Sequence, residues 1–483
     1  MSDVSQNSTV SEVSIHMTGK SSCPEGEGSF GGKGDSPQGP RLPAAVPYIV
    51  GNEAAERFSY YGMKAILMVY MTKVLGMADA EASGWGHLFQ AGVYLFPIFG
   101  ALLADLYWGK YKTIFYLSIL YCFGHVVLAL PGGIWGGNLK IPLCIGLFLI
   151  ALGAGGIKSC VSAIVGDQFT AQNKSLLEKV YGWFYLSINV GSLCSMLLIP
   201  FLYESYGPEV AFGVPAIFMA LATFIFWKGR SKYIILPPSG ANFLRELKTP
   251  AGYRAVLKIS LVFVFLVVVW AIYDQTGYRW VAQGEKMNPY LFSGMHWLPP
   301  SILELKILPA QMQAINPFLI LVLVPLFSYV IYPFINRYYR FTIVKKIACG
   351  LWLIALSALL PVWFEMKIQQ GVEINIAWQF LAYFLLTAAE VMVSVTSLEF
   401  AYTQAPPSMK SLIMGVYLLT FALGNLLVAA VNGLCEVYQE ANFLAGISYY
   451  WFFFILGVLN ALLFLFVAAK YQEKTYLQDD KLE

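Results

Sequence analysis

Glu53, Glu56 and Arg57 stand at i, i+3 and i+4 in an otherwise apolar stretch, a spacing that puts two acids and one base on a single helix face. Tyr60 and Tyr61 extend that face by a turn. With two acids to one base the cluster is net negative if all three ionise, so one acid is expected to hold a proton. The stretch from about 45 to 74 exceeds the roughly 20 residues that cross a bilayer, which sets the cluster at or inside hydrocarbon depth. His87, Lys158, Asp274 and Glu390 also fall in apolar runs, where an ionised side chain costs about 2.5–3.5 kcal/mol at mid-bilayer. One buried ion pair can simply fasten two helices. Several charges of both signs, on both halves of the chain, favour a site that handles a charged solute.

Long helices must carry these residues. The 483-residue chain is 58% hydrophobic, 12% charged and 16% aromatic, with a mean hydropathy of +0.62, the composition of a polytopic membrane protein. Its continuous apolar runs, unlike the weak alternation of a barrel, predict an all-α fold. Spans are predicted at 45–74, 84–106, 113–131, 141–166, 180–203, 208–228, 256–277, 309–334, 343–365, 374–404, 411–433 and 446–470, about twelve transmembrane helices. The longest polar connection inside this core, from Lys228 to Tyr253, contains Pro237, Pro238, Gly240 and Pro250 and separates two six-helix bundles. Two such halves around a midplane site are the pattern of major-facilitator-type transporters; a seven-span receptor does not fit.

The expected division is a disordered tail at 1–43, a first bundle at 44–229, a linker at 230–255, a second bundle at 256–470 and a short tail at 471–483. Lys110, Lys112, Lys228, Arg230, Arg245, Arg340 and Lys345 all fall in loops on one side, so the positive-inside rule makes both termini and the linker cytoplasmic. The Asn7-Ser8-Thr9 sequon is then on the wrong side for glycosylation.

Other chemistries fit poorly. A net charge of +3 gives no reason to expect a nucleic-acid partner, and the seven cysteines, without a CxxC pair, are expected mostly to pack as small apolar residues. His16, His87, His125 and His296 form no close metal spacing, so neither an enzyme nor a cofactor is expected. Gly32-Lys33-Gly34-Asp35 mimics an intramembrane aspartyl protease motif, with Tyr273-Asp274 posing as its partner, but it lies in a polar tail and the two stand in the wrong order. A phosphate loop fails because Gly34 follows Lys33 where Ser or Thr is needed.

Specific motifs narrow the fold further. Gly100, Asp105 and the Gly109-Lys110-Tyr111-Lys112 run resemble the loop motif of major-facilitator proteins, in which Asp105 and Lys110 would brace the inner gate. Glu53-x-x-Glu56-Arg57-Phe58-x-Tyr60-Tyr61-Gly62 resembles the E-x-x-E-R-F-x-Y-Y-G motif of the proton-dependent oligopeptide transporter family. Gly155-Gly156-Ile157-Lys158-Ser159-Cys160 and Phe184-Tyr185-Leu186-Ser187-Ile188-Asn189 match in the correct order. So do Trp270-Ala271-Ile272-Tyr273-Asp274-Gln275, Glu390-x-x-x-Ser394 and Gln404-Ala405-Pro406. The likeness covers about 45 to 470 and is nearest the animal-type branch, with His87 in the second span but no room near Gln369 for a large extracellular domain.

The resemblance implies symport of di- and tripeptides with protons into the cytoplasm, across the plasma membrane, by a chain that works as a monomer. A peptide zwitterion needs a base at one end and an acid at the other. The resemblance gives its carboxylate to Arg57 and Lys158, its ammonium to Glu390 with Asn316, and a supporting role to Asn189 and Ser394. Tyr60, Tyr61, Tyr94, Tyr185 and Trp270 would line the cavity, Glu53, Glu56 and His87 would carry coupling protons, and Asp274 would serve gating. Lys158 would compete with Arg57 for the acids of the first cluster. Two departures bear on this: Lys258 and Ser328 stand where relatives carry an inner-gate ion pair, and Tyr417 replaces a common tryptophan. A small-anion transporter of the same family and a transporter-like nutrient sensor are the alternatives; Glu390 argues against the first.

Overall fold

The computed structural model describes residues 41–130, 132–170, 173, 176–238, 250–293, 299–398, 400, 410–437, 444 and 446–470. Most of the expected tail at 1–43, the tail at 471–483, the Asn7 sequon, the Gly32–Asp35 run, His16, His296 and Gln404-Ala405-Pro406 lie outside the described residues.

Among the described residues there are twelve long helices: α1 (Val46–Lys73), α2 (Asp79–Leu103), α3 (Lys110–Ala129), α4 (Lys140–Asp167), α5 (Leu177–Tyr206), α6 (Pro208–Lys228), α7 (Pro250–Tyr273), α8 (Ile315–Leu326), α9 (Ile343–Gln369), α10 (Trp378–Glu390), α11 (Lys410–Val437) and α12 (Ile447–Lys470). α2, α8 and α10 run on through π-helical turns at Ala104–Trp108, Phe327–Ile331 and Val391–Val395. Among the described residues no strand forms, and only two isolated β-bridges, Asn288–Asn375 and Tyr290–Lys306, tie the loops before α8 and α10.

Eleven of the twelve are long and apolar enough to cross a membrane; α1 is the exception, because Glu53, Glu56, Arg57 and Lys64 interrupt its apolar run. The ends follow local chemistry. α1 has Pro47 in its first turn, where a missing N–H costs nothing, and Lys73 in its last, where a cation meets the negative end of the helix dipole. Between α5 and α6 the chain reverses at Gly207, whose φ of 87° suits glycine, and Pro208 starts the next helix at once.

Two apolar cores follow. One is built mainly from α1 to α6 around Met63, Ile114, Tyr121, Ile150 and Phe212, and the other from α7 to α12 around Phe263, Leu351, Phe364, Tyr383 and Phe453. The halves meet where α2 packs on α11 and α5 on α8, and through a small cluster of Ala65, Met196 and Ala314. Large side chains such as Ile217 and Phe466 stay bare on the outside, as a lipid-facing surface requires.

Small residues bring the site helices close. A Cβ on Gly191 of α5 would stand 2.6 Å from the Ala54 carbonyl on α1, and one on Gly100 of α2 would stand 2.1 Å from the Gly156 carbonyl on α4. The second contact is backbone on both sides, so nothing can rotate away. Gly100→Ala should therefore lower the thermal stability of the solubilised protein, overpacking of this kind costing about 1–3 kcal/mol. Gly182→Ala, where nothing lies within 4 Å, should not. Equal melting temperatures for the two variants would show that the α2–α4 crossing tolerates a methyl group.

Candidate functional site

Because α5 and α6 pack on α1, the Glu53, Glu56 and Arg57 side chains sit in protein rather than in lipid, at 2%, 1% and 8% exposure. The Arg57 Nε–H donates to Glu53 Oε1 at 2.7 Å. Glu56 Oε2 stands 2.9 Å from the same nitrogen, an ionic contact without a hydrogen bond, since the single Nε hydrogen is already directed to Glu53. Among the described residues the terminal guanidinium nitrogens make no hydrogen bond to protein. They are the part of Arg57 left for a ligand.

Lys158 projects from α4 with no ion pair among the described residues. Its Nζ lies 3.6 Å from the centre of the Tyr94 ring, so the ammonium rests on an aromatic face instead of a carboxylate. In this conformation it does not share the acids of the first cluster.

The second half supplies the acid. Glu390 ends the α-helical part of α10, and its Oε2 accepts a 2.6 Å hydrogen bond from Asn316 Nδ2 on α8. Asn316 also donates to Thr387 at 3.1 Å and accepts from the Tyr273 hydroxyl at 3.2 Å, which fixes its amide and leaves Glu390 without a cation of its own. Glu390 lies near Tyr61 and Tyr185, on the first half. Tyr61, Tyr94, Lys158, Asn316, Glu390 and Ser394 are all part-exposed, and Tyr185 is exposed.

Other candidates take different places. Tyr60 is buried and donates to Gln90 Oε1 at 2.7 Å. Trp270 is 1% exposed, donates to Thr420 and stacks 3.6 Å from Phe421, whose ring also stacks on Tyr94 at 4.5 Å. Phe421 therefore stands between Trp270 and Tyr94, and Trp270 supports the aromatic wall from behind. Asn189 is buried and returns its amide to the Tyr185 carbonyl, while Ser394 meets the Tyr417 hydroxyl at 3.3 Å. Lys110 pairs with Asp167 at the end of α4, at 2.7 Å, rather than with Asp105, which lies half-buried in the π-helical turn of α2. Lys258 and Ser328 are both exposed.

Asp274 heads a buried network between the halves. Its Oδ1 meets Lys64 Nζ of α1 at 3.1 Å and Gln90 Nε2 of α2 at 3.5 Å, and its Oδ2 accepts from Asn425 Nδ2 of α11 at 2.7 Å. Asn425 uses its oxygen for His87 Nδ1 at 2.7 Å, so His87 holds its hydrogen on Nδ1 and leaves a buried Nε2 without a partner. Motif and spacing did not single out Lys64, Gln90 or Asn425. Lys64 does carry a signal: it is a lysine inside an apolar run, two turns beyond Arg57 on the same face. The two amides carry no charge and give no such signal.

The same end of the molecule is bound by further contacts between the halves: Lys73–Glu285 at 2.7 Å, Lys286–Asp79 at 3.5 Å and Lys306–Glu204 at 3.9 Å, with Tyr278 donating to the Gly86 carbonyl. Every ion pair between the halves among the described residues lies at this end or at Lys64–Asp274. At the other end α5 leaves Tyr185, Leu186 and Val190 bare, and α10 runs into an exposed Val395 and Leu398. Among the described residues, ion pairs tie the halves on one side of the site and none does so on the other.

Comparison with known proteins points to one family. The chain matches the POT family over residues 111–251 and 241–451. Peptide transporter family 1 of Drosophila melanogaster is 38% identical over 372 residues, 68% of this chain and 48% of that protein. Solute carrier family 15 member 2 of Rattus norvegicus is 35% identical over 405 residues, 74% of this chain and 54% of that protein. The chain thus spans about half the length of the curated relatives it matches. Among solved structures, an auto-inhibited POT family peptide transporter superposes with a TM-score of 0.82 at 30% identity, covering 91% of this chain and 99% of the other. The POT family transporter PepTSo superposes with a TM-score of 0.80 at 33% identity, covering 89% and 98%. The all-α membrane fold is thus shared with solved POT family transporters, and the chain belongs to the POT family.

Proposed function

We propose that this chain carries di- and tripeptides into the cytoplasm together with protons, by alternating access between its two bundles. The observation that carries the reading is the division of charge: Arg57 and Lys158, whose cationic ends have no fixed hydrogen-bonded acid between them beyond Glu53, lie on the first half, and Glu390 lies on the second. An extended dipeptide spans its two charged ends at about 3.3–3.6 Å per residue, so it can join one half to the other and favour the closed state. The side on which the basic loops fall, away from the ion pairs between the halves, is then cytoplasmic, and the address is the plasma membrane. The bundle limits at 44–229 and 256–470, the linker at 230–255 and function as a monomer belong to the same reading.

Proton coupling follows from competition for Arg57. While Glu53 and Glu56 are ionised they hold the guanidinium; a proton on one of them releases it toward the peptide carboxylate, so proton and peptide favour each other. His87 is the second proton candidate. A proton on its Nε2 would put a cation beside Asn425 and Asp274, in competition with Lys64 for the same carboxylate, and so loosen the ion-paired end. Asp105 and Lys110 stand at the opposite end and are proposed to serve the inner gate, Lys110 through Asp167. A small-anion substrate would need only the positive half and leaves Glu390 unused.

Uptake into proteoliposomes under an inward proton gradient tests the reading: a plain dipeptide should accumulate, and one with a blocked amino end should be taken up at least tenfold more slowly. Equal uptake of the two would remove Glu390 as the ammonium site. Glu56→Gln should abolish gradient-driven accumulation yet spare peptide-for-peptide exchange, whereas parallel loss of both would assign Glu56 to binding or folding. At the ion-paired end, Lys64→Gln or Asp274→Asn alone leaves a buried charge unpaired, an effect of about 3–5 kcal/mol in proteins generally. Either should lower the melting temperature, and the double variant should recover most of the loss; additive losses would mean the pair does not act as a unit.

A further inference from the structure

His125 lies in α3, away from the peptide clamp, and is fully buried. Its Nε2 stands 2.9 Å from Ser59 Oγ on α1, and the same hydroxyl stands 2.7 Å from the Pro215 carbonyl on α6. A carbonyl has no hydrogen to give, so the Ser59 hydrogen must be spent on Pro215 and the hydrogen between Ser59 and His125 must come from Nε2. Nδ1 is then a bare acceptor, buried and without a partner. It is one of several such atoms. Tyr121 OH, Ser118 Oγ, Asn52 Oδ1 and both Glu56 oxygens are also buried with no hydrogen bond, at residue exposures of 2% or less.

Lys140–Glu81 joins the starts of α2 and α4, and Lys110–Asp167 joins the start of α3 to the end of α4. Since α2 starts where α1 ends, α1 and α3 run in the same direction. The Ser59–His125 contact sets their register, and about one turn before it along each helix stand Glu56 and Tyr121. The Tyr121 hydroxyl does lie beside the Glu56 carboxyl group, and its ring stacks on His125 at 5.0 Å. Around His125, α4 presents Gly146 and Ile150 to Gly124, and α6 presents the Pro215 carbonyl, none of them titratable. Tyr121 on its own helix is the titratable group stacked on it, with Glu56 on α1 beside Tyr121; Cys122 turns to Thr223 on α6.

We propose that His125 is a positioning residue for the proton on Glu56. A neutral carboxyl donates a hydrogen and an ionised one only accepts, so the seam behind Glu56 distinguishes the two forms. With Nδ1 as a fixed acceptor at its head, the seam runs in one direction: Glu56 O–H to Tyr121, and the Tyr121 O–H onward to Nδ1 through a buried water that would have these atoms as partners. Ionised Glu56 would instead turn the Tyr121 hydroxyl toward itself and leave Nδ1 stranded. His125 therefore favours the protonated form of Glu56 from the side opposite Arg57, without touching peptide and without itself taking up a proton.

This inference rests on the coupling role proposed for Glu56, and the test separates the two. The readout is the pH of half-maximal dipeptide uptake in proteoliposomes, with peptide counterflow in the absence of a gradient as the measure of folded, binding-competent protein. His125→Phe, which keeps the ring and removes the acceptor, should move that pH downward by about half to one unit, the worth of one net hydrogen bond. Tyr121→Phe should do the same, the double variant should add nothing, and His125→Gln, with a donor for Ser59 and an acceptor oxygen, should restore the parent profile. An unmoved profile in Tyr121→Phe with counterflow intact overturns the proposal, even if His125→Phe fails to fold. An unmoved profile together with a Glu56→Gln variant that no longer accumulates peptide overturns the seam alone. A Glu56→Gln variant that still accumulates peptide overturns the reading on which the seam depends.

Discussion

A charge inside hydrocarbon must be answered by protein, and α1 is the helix on which that constraint falls hardest. Among the described residues it is the one long helix whose charges interrupt its apolar run, and nearly every residue from Asn52 to Met71 is buried. Both facts have one cause. A helix that carries Glu53, Glu56, Arg57 and Lys64 can lie at membrane depth only if other helices, not lipid, surround it. α5 and α6 do so in the first half, while the Lys64–Asp274 pair draws in the second. The position of α1 at the junction of the halves is thus a consequence of its charges, and the site forms where those charges are.

Neutral amides then do what further charges would do at greater cost. Asn316 orients Glu390, Asn425 connects His87 to Asp274, and Gln90 connects Tyr60 to Asp274. Each amide offers a donor and an acceptor in one plane, so it fixes two neighbours at once and commits no net charge to the membrane. A switch built this way can exchange partners by a small rotation. Arg57 has the same freedom on the first half, since one nitrogen is held by Glu53 and the terminal nitrogens are not.

What is legible in the sequence follows the same division. Charged residues stand out against apolar runs, and Glu53, Glu56, Arg57, His87, Lys158, Asp274 and Glu390 are all conspicuous on that ground alone. So are the helices, because apolar length reports directly on the bilayer: the predicted spans at 208–228 and 446–470 differ little from α6 and α12. Lys64 carries the same signal, masked by the stronger cluster two turns before it. Gln90, Asn425, Tyr121 and His125 are not legible, since amides, hydroxyls and single histidines are ordinary in such helices. Only the packing of the first half sets Tyr121 beside Glu56. Partner choice is equally hidden: Lys158 lies on the Tyr94 ring, Trp270 sits behind Phe421, and Lys110 pairs with Asp167, none of which spacing along the chain determines.

Electroneutrality links the clamp to the proton on the proposed reading. With Glu53, Glu56 and Glu390 ionised and Arg57 and Lys158 charged, three negative charges face two positive ones. A peptide zwitterion adds none, so occluding peptide alone would enclose a net negative charge between two apolar cores. One proton on Glu56 removes it, and the charge-bearing ends can then pair in full: Arg57 and Lys158 with Glu53 and the peptide carboxylate, Glu390 with the ammonium. A protonated site without peptide is also neutral in sum, but it leaves Glu390 and a cation of the first half each without a partner. The desolvation penalty for an unmatched ion, several kcal/mol in a protein interior, therefore weighs against closing over peptide alone or over the proton alone, and least against closing over both. Coupling of this kind needs no rigid link between the sites, because the closing of the bundles itself selects the neutral, fully paired combination.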